Sequence, residues 1–403
     1  MDLTVIVASE QFHILFLSGI TENVIEQAMS KLEDASQDCI TMYATFLKEK
    51  YQGLSVFPDS EWPPSVGDQY IRLALIQHTN RLPNEESIRE MQEDLLRGRV
   101  DKVEGQKKAV DIPGIFAGAE QGKKLRVLVD GAPGVGKSTL CRKISKDWGC
   151  KRFLSEYKLV VLLHLRDRRI AKATRIEDFF YHDDPELQAE VVRQVKKTLG
   201  AGVLLIFDGF DELSEEERMD RSLFLDIIKG EVLSQCSVLV TSRPYASESL
   251  QCLHSVDHHV EVLGFTKEQV CECITTVIKD EPKAVALLNI LNQRIDISLL
   301  CYIPLNCAIL LHVYRQLDYA LPSTLTGIFE VFILNTLKRD AKLQRAHSIA
   351  RRICDLISLP PQFSSDLDHL CMLAFNGLVK DKMLFQFEEI DESKLLGLPQ
   401  NLS

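Results

Sequence analysis

Apolar positions in the first part of the chain recur at intervals of three and four. Between Thr21 and Tyr51 they are Val24, Ala28, Leu32, Ala35, Cys39, Tyr43 and Leu47, which predicts an amphipathic helix or a pair of helices. The apolar stretch ahead of them, MDLTVIVASEQFHILFLSGI, carries Asp2 and Glu10 and no basic n-region, so it reads as a strand or helix rather than a signal peptide. A proline-rich break over 56–68 is followed by a short apolar element, YIRLALI (70–76), and a charged helical stretch from Asn84 to about Val110. From Leu125 the period changes. Short β-rich runs occur at 125–130, 158–165, 202–208, 237–242 and 259–265, separated by segments of helical character. Runs that are apolar at nearly every position belong to strands covered on both faces, so the pattern predicts an α/β fold with a parallel sheet between helices. Beyond Thr266 the chain reads as helix alone, at Lys267–Lys279, Pro282–Asn292, Leu305–Tyr314 and Thr326–Leu343. ISLPPQF (357–363) marks a break before a last helix, Asp366–Leu378, and a hairpin over 378–390. No internal repeat is visible, which excludes a solenoid within this chain.

Length and charge narrow the function classes. A chain of 403 residues accommodates two to four compact units. The net charge of −11 argues against nucleic acid as the main partner, because phosphate backbones are bound by basic surfaces. The most basic stretch, RDRRIAKATR (166–175), reads as a solvated loop and helix start. The 11 cysteines are scattered, with no CxxC pair, and CEC (271–273) is too tight for zinc spacing. Buried reduced thiols and a cytoplasmic location are therefore expected. The longest apolar run, 297–314, contains Pro304 and Asn306 and reads as buried helices rather than a membrane span.

Three segments carry chemistry. Gly131, Ala132, Pro133, Gly134, Val135, Gly136, Lys137 and Ser138 spell G-x-x-x-x-G-K-[ST] between a strand and a helix, the context that this phosphate-binding pattern requires. Its glycines let backbone N–H groups turn inward around a β-phosphate, and the helix N-terminus adds partial positive charge. Lys137 would bridge the β- and γ-phosphates, Ser138 would ligate Mg²⁺ and Thr139 would reach the α-phosphate side. In VLLIFDGFDEL (203–213), Asp208 ends an apolar strand where it can hold Mg²⁺ through water, and Asp211 or Glu212 can polarise a hydrolytic water. The residue types do not rank those two acids. In VLVTSRP (238–244), Arg243 at a strand end can sense a γ-phosphate through charge-assisted hydrogen bonds.

In this order and spacing, GAPGVGKST, FDGFDEL and TSRP resemble the NACHT domain of the signal-transduction (STAND) ATPases of the NLR class. VFPDSEWPPSVGDQYIRLALI (56–76) resembles a stretch of invertebrate-type NACHT proteins. The resemblance to the NACHT domain implies a P-loop NTPase sheet covered by helices, an all-helical domain, a partial winged helix and a helical N-terminal region. It extends over about 97–390. The segment 97–116 is similar to the one that helps enclose adenine in such proteins, and 261–274 to the link into the first helical domain. YIPLNCAILLHVY (302–314) resembles a proline motif in which Pro304 would touch the adenine. Residues 321–339 are similar to the passage into the winged helix. The implied organisation is an N-terminal region over 1–96, a pre-loop segment over 97–124, the nucleotide-binding domain over 125–263, a helical domain over 264–322 and a partial winged helix over 323–403.

The resemblance implies binding of ATP or ADP with Mg²⁺, slow hydrolysis, and self-association or protein partners in innate-immune-type signalling. One departure stands out. The family's late winged-helix histidine, in a pattern like F-x-H-x-x-x-Q-E-F, has no counterpart before Ser403, and His369 sits too early. The chain accordingly reads as a short family member or an incomplete gene product. A conventional turnover enzyme is the weaker alternative. The N-K-x-D of GTPases is missing from a late strand, where only NQRID (292–296) comes near, and FLSGI (16–20) precedes the loop instead of following it. A nucleotide-binding scaffold without hydrolysis is a second alternative, weighed down by the retention of Asp208, Asp211, Glu212 and Arg243.

Overall fold

A computed structural model describes residues 38–53, 72–78, 107–119, 122–213, 217–218, 222–253, 256–338 and 361–379. Its centre is a seven-stranded sheet in the order β2-β1-β7-β3-β6-β5-β4. The strands are β1 (Ala74–His78), β2 (Lys107–Ala109), β3 (Arg126–Asp130), β4 (Leu159–His164), β5 (Val203–Asp208), β6 (Ser237–Ser242) and β7 (His258–Gly264). From β7 to β4 the neighbouring strands run parallel, as the uninterrupted apolar runs predict. Every residue of β5 and β6 is buried, whereas burial in the edge strand β4 begins to alternate towards its C-terminal end.

The sheet is mixed rather than wholly parallel. β1 pairs antiparallel with β7, and β2 pairs antiparallel with β1. Residues 107–109, at the end of the stretch expected to be helical, are therefore strand. Pairing with an exposed edge decides the conformation of so short and polar a segment, and local periodicity does not. The remainder of that stretch, 84–106, lies outside the described residues.

The helix Lys137–Gly149 starts at the C-terminal end of β3 and buries Leu140, Cys141, Ile144 and Trp148. Each large apolar side chain buried in this way contributes roughly 1.5–3 kcal/mol relative to exposure. A helix over 38–52, part of the predicted 21–51 amphipathic segment, packs on the far end of that helix through Lys48, Tyr51 and Gln52, while its buried Tyr43 packs against Phe180 and His182. Tyr51 meets Trp148 edge-on, and its hydroxyl accepts the Leu162 N–H of the edge strand at 2.9 Å. This helix thus covers a sheet edge that would otherwise present unpaired backbone groups.

After β7 the chain is helical. Thr266 and Gln269 form a capping box that opens Lys267–Val277, and Asp280 caps Glu281–Gln293 with Pro282 in its first turn. A short helix, Ile295–Leu300, stands between those helices and Pro304–Gln316, where the sequence pattern marks no separate element. The helices Leu325–Lys338 and Pro361–Val379 follow. The last starts at Pro361, within the segment expected to be a break, because proline is well suited to the first helical turn. Leu378 and Val379 end this helix, and the rest of the expected hairpin lies outside the described residues. So do the N-terminal stretch, the proline-rich break at 56–68 and all of 339–360. Among the described residues no helix is long and apolar enough to cross a membrane.

Candidate functional site

The glycine-rich loop runs from the end of β3 to the first turn of the helix Lys137–Gly149. Gly134 adopts φ +74°, and a Cβ there would lie 3.1 Å from side-chain atoms of both Ile303 and Leu305, so the loop needs glycine for its turn and for this approach. Lys137 curls back over the loop, its Nζ donating to Gly131 O (2.7 Å) and Ala132 O (3.1 Å). Burial holds its ammonium below the usual lysine range. The backbone carbonyls thus occupy the lysine donors at the position where phosphate oxygens would compete for them.

Asp208 ends β5 and is buried. Ser138 Oγ (3.1 Å) and Thr241 Oγ1 (2.7 Å) donate to its Oδ1, and His164 Nδ1 lies 3.2 Å from its Oδ2. Thr241 Oγ1 also accepts the Gly209 N–H at 2.8 Å. Desolvation alone would raise the Asp208 carboxyl, but hydrogen bonds from His164, Thr241 and Ser138 more than offset it and hold the group below the usual aspartate value.

The two acids that follow have different surroundings. Asp211 is buried and forms an ion pair with Arg243 (Nε···Oδ2 2.8 Å), while Tyr245 OH donates to its backbone carbonyl at 3.2 Å. Glu212 is exposed and, among the described residues, has no ion pair like that of Asp211, although Arg166 and His164 lie near enough to act on its carboxyl. Its carboxyl is pushed above the usual glutamate range by desolvation and by the nearby Asp208 and Asp211. Asp211 therefore secures Arg243, and Glu212 is the acid with an uncommitted carboxylate.

The donor set fits a hard divalent cation. A hydroxyl and a carboxylate, Ser138 and Asp208, converge beside the loop, and Mg²⁺ is commonly held by one or two carboxylates together with substrate phosphates. Among the described residues no group of three or more His, Cys, Asp and Glu side chains forms a separate metal site.

Pro304 opens the helix Pro304–Gln316, and the N–H of the next residue, Leu305, donates to Gly134 O at 3.2 Å. The proline motif therefore abuts the phosphate loop. On the other side Leu73, just ahead of β1, packs against Gly136. Leu73 also borders a cavity of ≈ 710 Å³ whose walls include Val110–Gly114, Lys143 and Gln269. The loop, Asp208, Asp211, Glu212, Arg243 and Pro304 are all brought to one end of the sheet, at the C-terminal edges of its parallel strands. Sequence reasoning missed Leu73, His164 and Thr241. The apolar run containing Leu73 was visible, but only the sheet register places His164 opposite Asp208.

Comparison with known proteins points the same way. Residues 125–281 match the family described as NACHT domain. The mouse (Mus musculus) NACHT, LRR and PYD domains-containing protein 3 is 29% identical over 290 residues, covering 66% of this chain and 26% of the relative. The rat (Rattus norvegicus) protein of the same description is 30% identical over 290 residues, with the same coverage of 66% and 26%. The human (Homo sapiens) NACHT, LRR and PYD domains-containing protein 12 is 25% identical over 361 residues, covering 83% of this chain and 32% of the relative. The chain thus spans about a quarter to a third of the length of these curated relatives.

Proposed function

We propose, from the match of residues 125–281 to the NACHT domain and the likeness to NACHT, LRR and PYD domains-containing proteins, that the chain is a NACHT-domain P-loop NTPase of the NLR class and a switch controlled by ATP or ADP with Mg²⁺. The observation that carries the reading is the direct contact between loop and helical domain, Leu305 N–H to Gly134 O, with Ile303 and Leu305 packed on Gly134. A loop that re-forms around phosphates has to alter that contact, and this couples nucleotide state to the packing of the helices. We read the segments as in the sequence analysis: nucleotide-binding domain to about 263, helical domain to about 322, winged-helix region beyond. The output is self-association or recruitment of a protein partner.

Lys137 leaves its carbonyl partners for the β- and γ-phosphate oxygens, and Thr139 approaches the α-phosphate. Leu73 and Val110–Gly114 provide an apolar wall for the adenine, with Pro304 on the side of the helical domain. Ser138 and Asp208 hold the metal, which neutralises charge on the phosphate oxygens when bound. For hydrolysis, Glu212 accepts the proton of the attacking water while the γ-phosphoryl group passes to that water and ADP leaves. Arg243, released in part from Asp211, stabilises the charge developing on the γ-phosphate.

The reading is tested by measuring the nucleotide content of the purified chain by mass spectrometry and its mass by light scattering, for wild type and Lys137→Ala. Bound adenine nucleotide in the wild type, none in the variant, and a nucleotide-dependent mass are expected. Equal ATP affinity in the two proteins would sink the proposal.

A further inference from the structure

We infer that His164 is a positioning residue for the metal-binding carboxylate, a role that rests on the reading of Asp208 as the residue that holds Mg²⁺. The β4–β5 register sets His164 directly opposite Asp208, and the Leu165 N–H donates to the Asp208 carbonyl at 2.9 Å, which fixes the two backbones relative to each other. From that position the ring places Nδ1 at 3.2 Å from Oδ2. An ionised carboxylate only accepts, so Nδ1 carries the proton and donates.

The carboxylate needs such a partner. The terminal torsion of an aspartate is broad, so the side chain by itself does not hold the plane of its oxygens. Oδ1 receives Ser138 and Thr241, but Ser138 is the hydroxyl that turns to the metal when nucleotide binds. Thr241 on one oxygen and His164 on the other then hold the plane, one from each strand flanking β5. The His164 side chain is 29% exposed, so it is not simply core filling. Partners of this second layer typically carry a 10–100-fold effect on metal affinity, about as much as the orientation of the ligand itself is worth.

The test is a titration of Mg²⁺ at fixed ATP, followed by nucleotide binding to the full chain, for wild type, H164A, H164N and D208N. The amide nitrogen of Asn reaches nearly the position of Nδ1 and donates in the same direction. H164A is expected to raise the Mg²⁺ concentration for half-maximal binding by about tenfold. Its affinity for metal-free ATP stays at the wild-type value, and H164N restores the Mg²⁺ dependence. An unchanged Mg²⁺ requirement in H164A, a parallel loss of metal-free affinity, or failure of H164N to rescue would each overturn the role of His164. Wild-type Mg²⁺ dependence in D208N would overturn the metal reading beneath it instead, so the two failures are distinguishable.

Discussion

Asp211 and Glu212 are neighbours in the chain with almost the same chemistry, and their surroundings put them to different uses. The guanidinium of Arg243 is committed to Asp211, which is buried, while the carboxyl of Glu212 is elevated by desolvation and by its acidic neighbours, which outweigh the more distant Arg166 and His164. Glu212→Gln should therefore lower the rate of phosphate release by about 10²–10⁴-fold, with ATP affinity nearly unchanged, since it removes a general base and leaves the binding groups in place. Asp211→Asn should act differently, loosening Arg243 and weakening γ-phosphate discrimination, seen as a smaller difference between ATP and ADP affinity. The pH dependence has a definite sign. In the proposed mechanism hydrolysis needs Glu212 ionised, and its carboxyl titrates above the ordinary glutamate range, so the rate should begin to fall on acidification at a higher pH than for an ordinary glutamate. In Glu212→Gln the acid limb should vanish from the residual rate, and an unaltered limb would assign the titration to another group.

Among the elements, the helix over 38–52 and the link after β7 decide how the parts are held. Tyr51 is buried against Trp148 and gives the Leu162 N–H of the sheet edge its acceptor. Tyr51→Phe keeps the ring and removes the oxygen, so about 1 kcal/mol of stability should be lost, measured by denaturant unfolding, without a change in nucleotide affinity. Gly264 ends β7 with φ +108°, and a Cβ there would stand 2.3 Å from the Tyr302 carbonyl oxygen. That same carbonyl accepts the Phe265 N–H at 2.8 Å, so the end of β7 and the turn before the helix Pro304–Gln316 are pinned together at this point. Gly264→Ala should cost at least about 2 kcal/mol, from the left-handed backbone and the forced separation together. The loss should be accompanied by faster proteolysis around 300–305. Retention of full stability would mean that the link yields easily.

At the scale of the whole molecule, nucleotide bound only to the folded chain stabilises it by mass action, about 2.7 kcal/mol at a concentration one hundred times the dissociation constant. A rise in the unfolding midpoint with ATP and Mg²⁺ is therefore expected for wild type and not for Lys137→Ala. The parallel strands and the phosphate loop could be read in the sequence because their signals are local: continuous apolar runs such as VLLIFD, and glycines and a lysine at fixed spacing beside a strand. The helices after Thr266 were legible for the same reason, through caps such as Thr266 with Gln269 and through apolar spacing. The strand character of Lys107–Ala109 was not legible, since it comes from pairing with β1, where Lys107 and Ala109 lie opposite His78 and Ile76, 29 and 33 residues earlier. The clasp of His164, Thr241 and Ser138 around Asp208 was hidden as well, because it depends on which strands lie beside β5 and in what register. By itself the sequence determined the loop's phosphate-binding pattern and its place between a strand and a helix, since that signal is written in consecutive residues. Only the tertiary structure decided that Asp211, and not Glu212, holds the arginine and that the loop touches the start of the helix Pro304–Gln316, because distances between remote segments set burial, charge and contact.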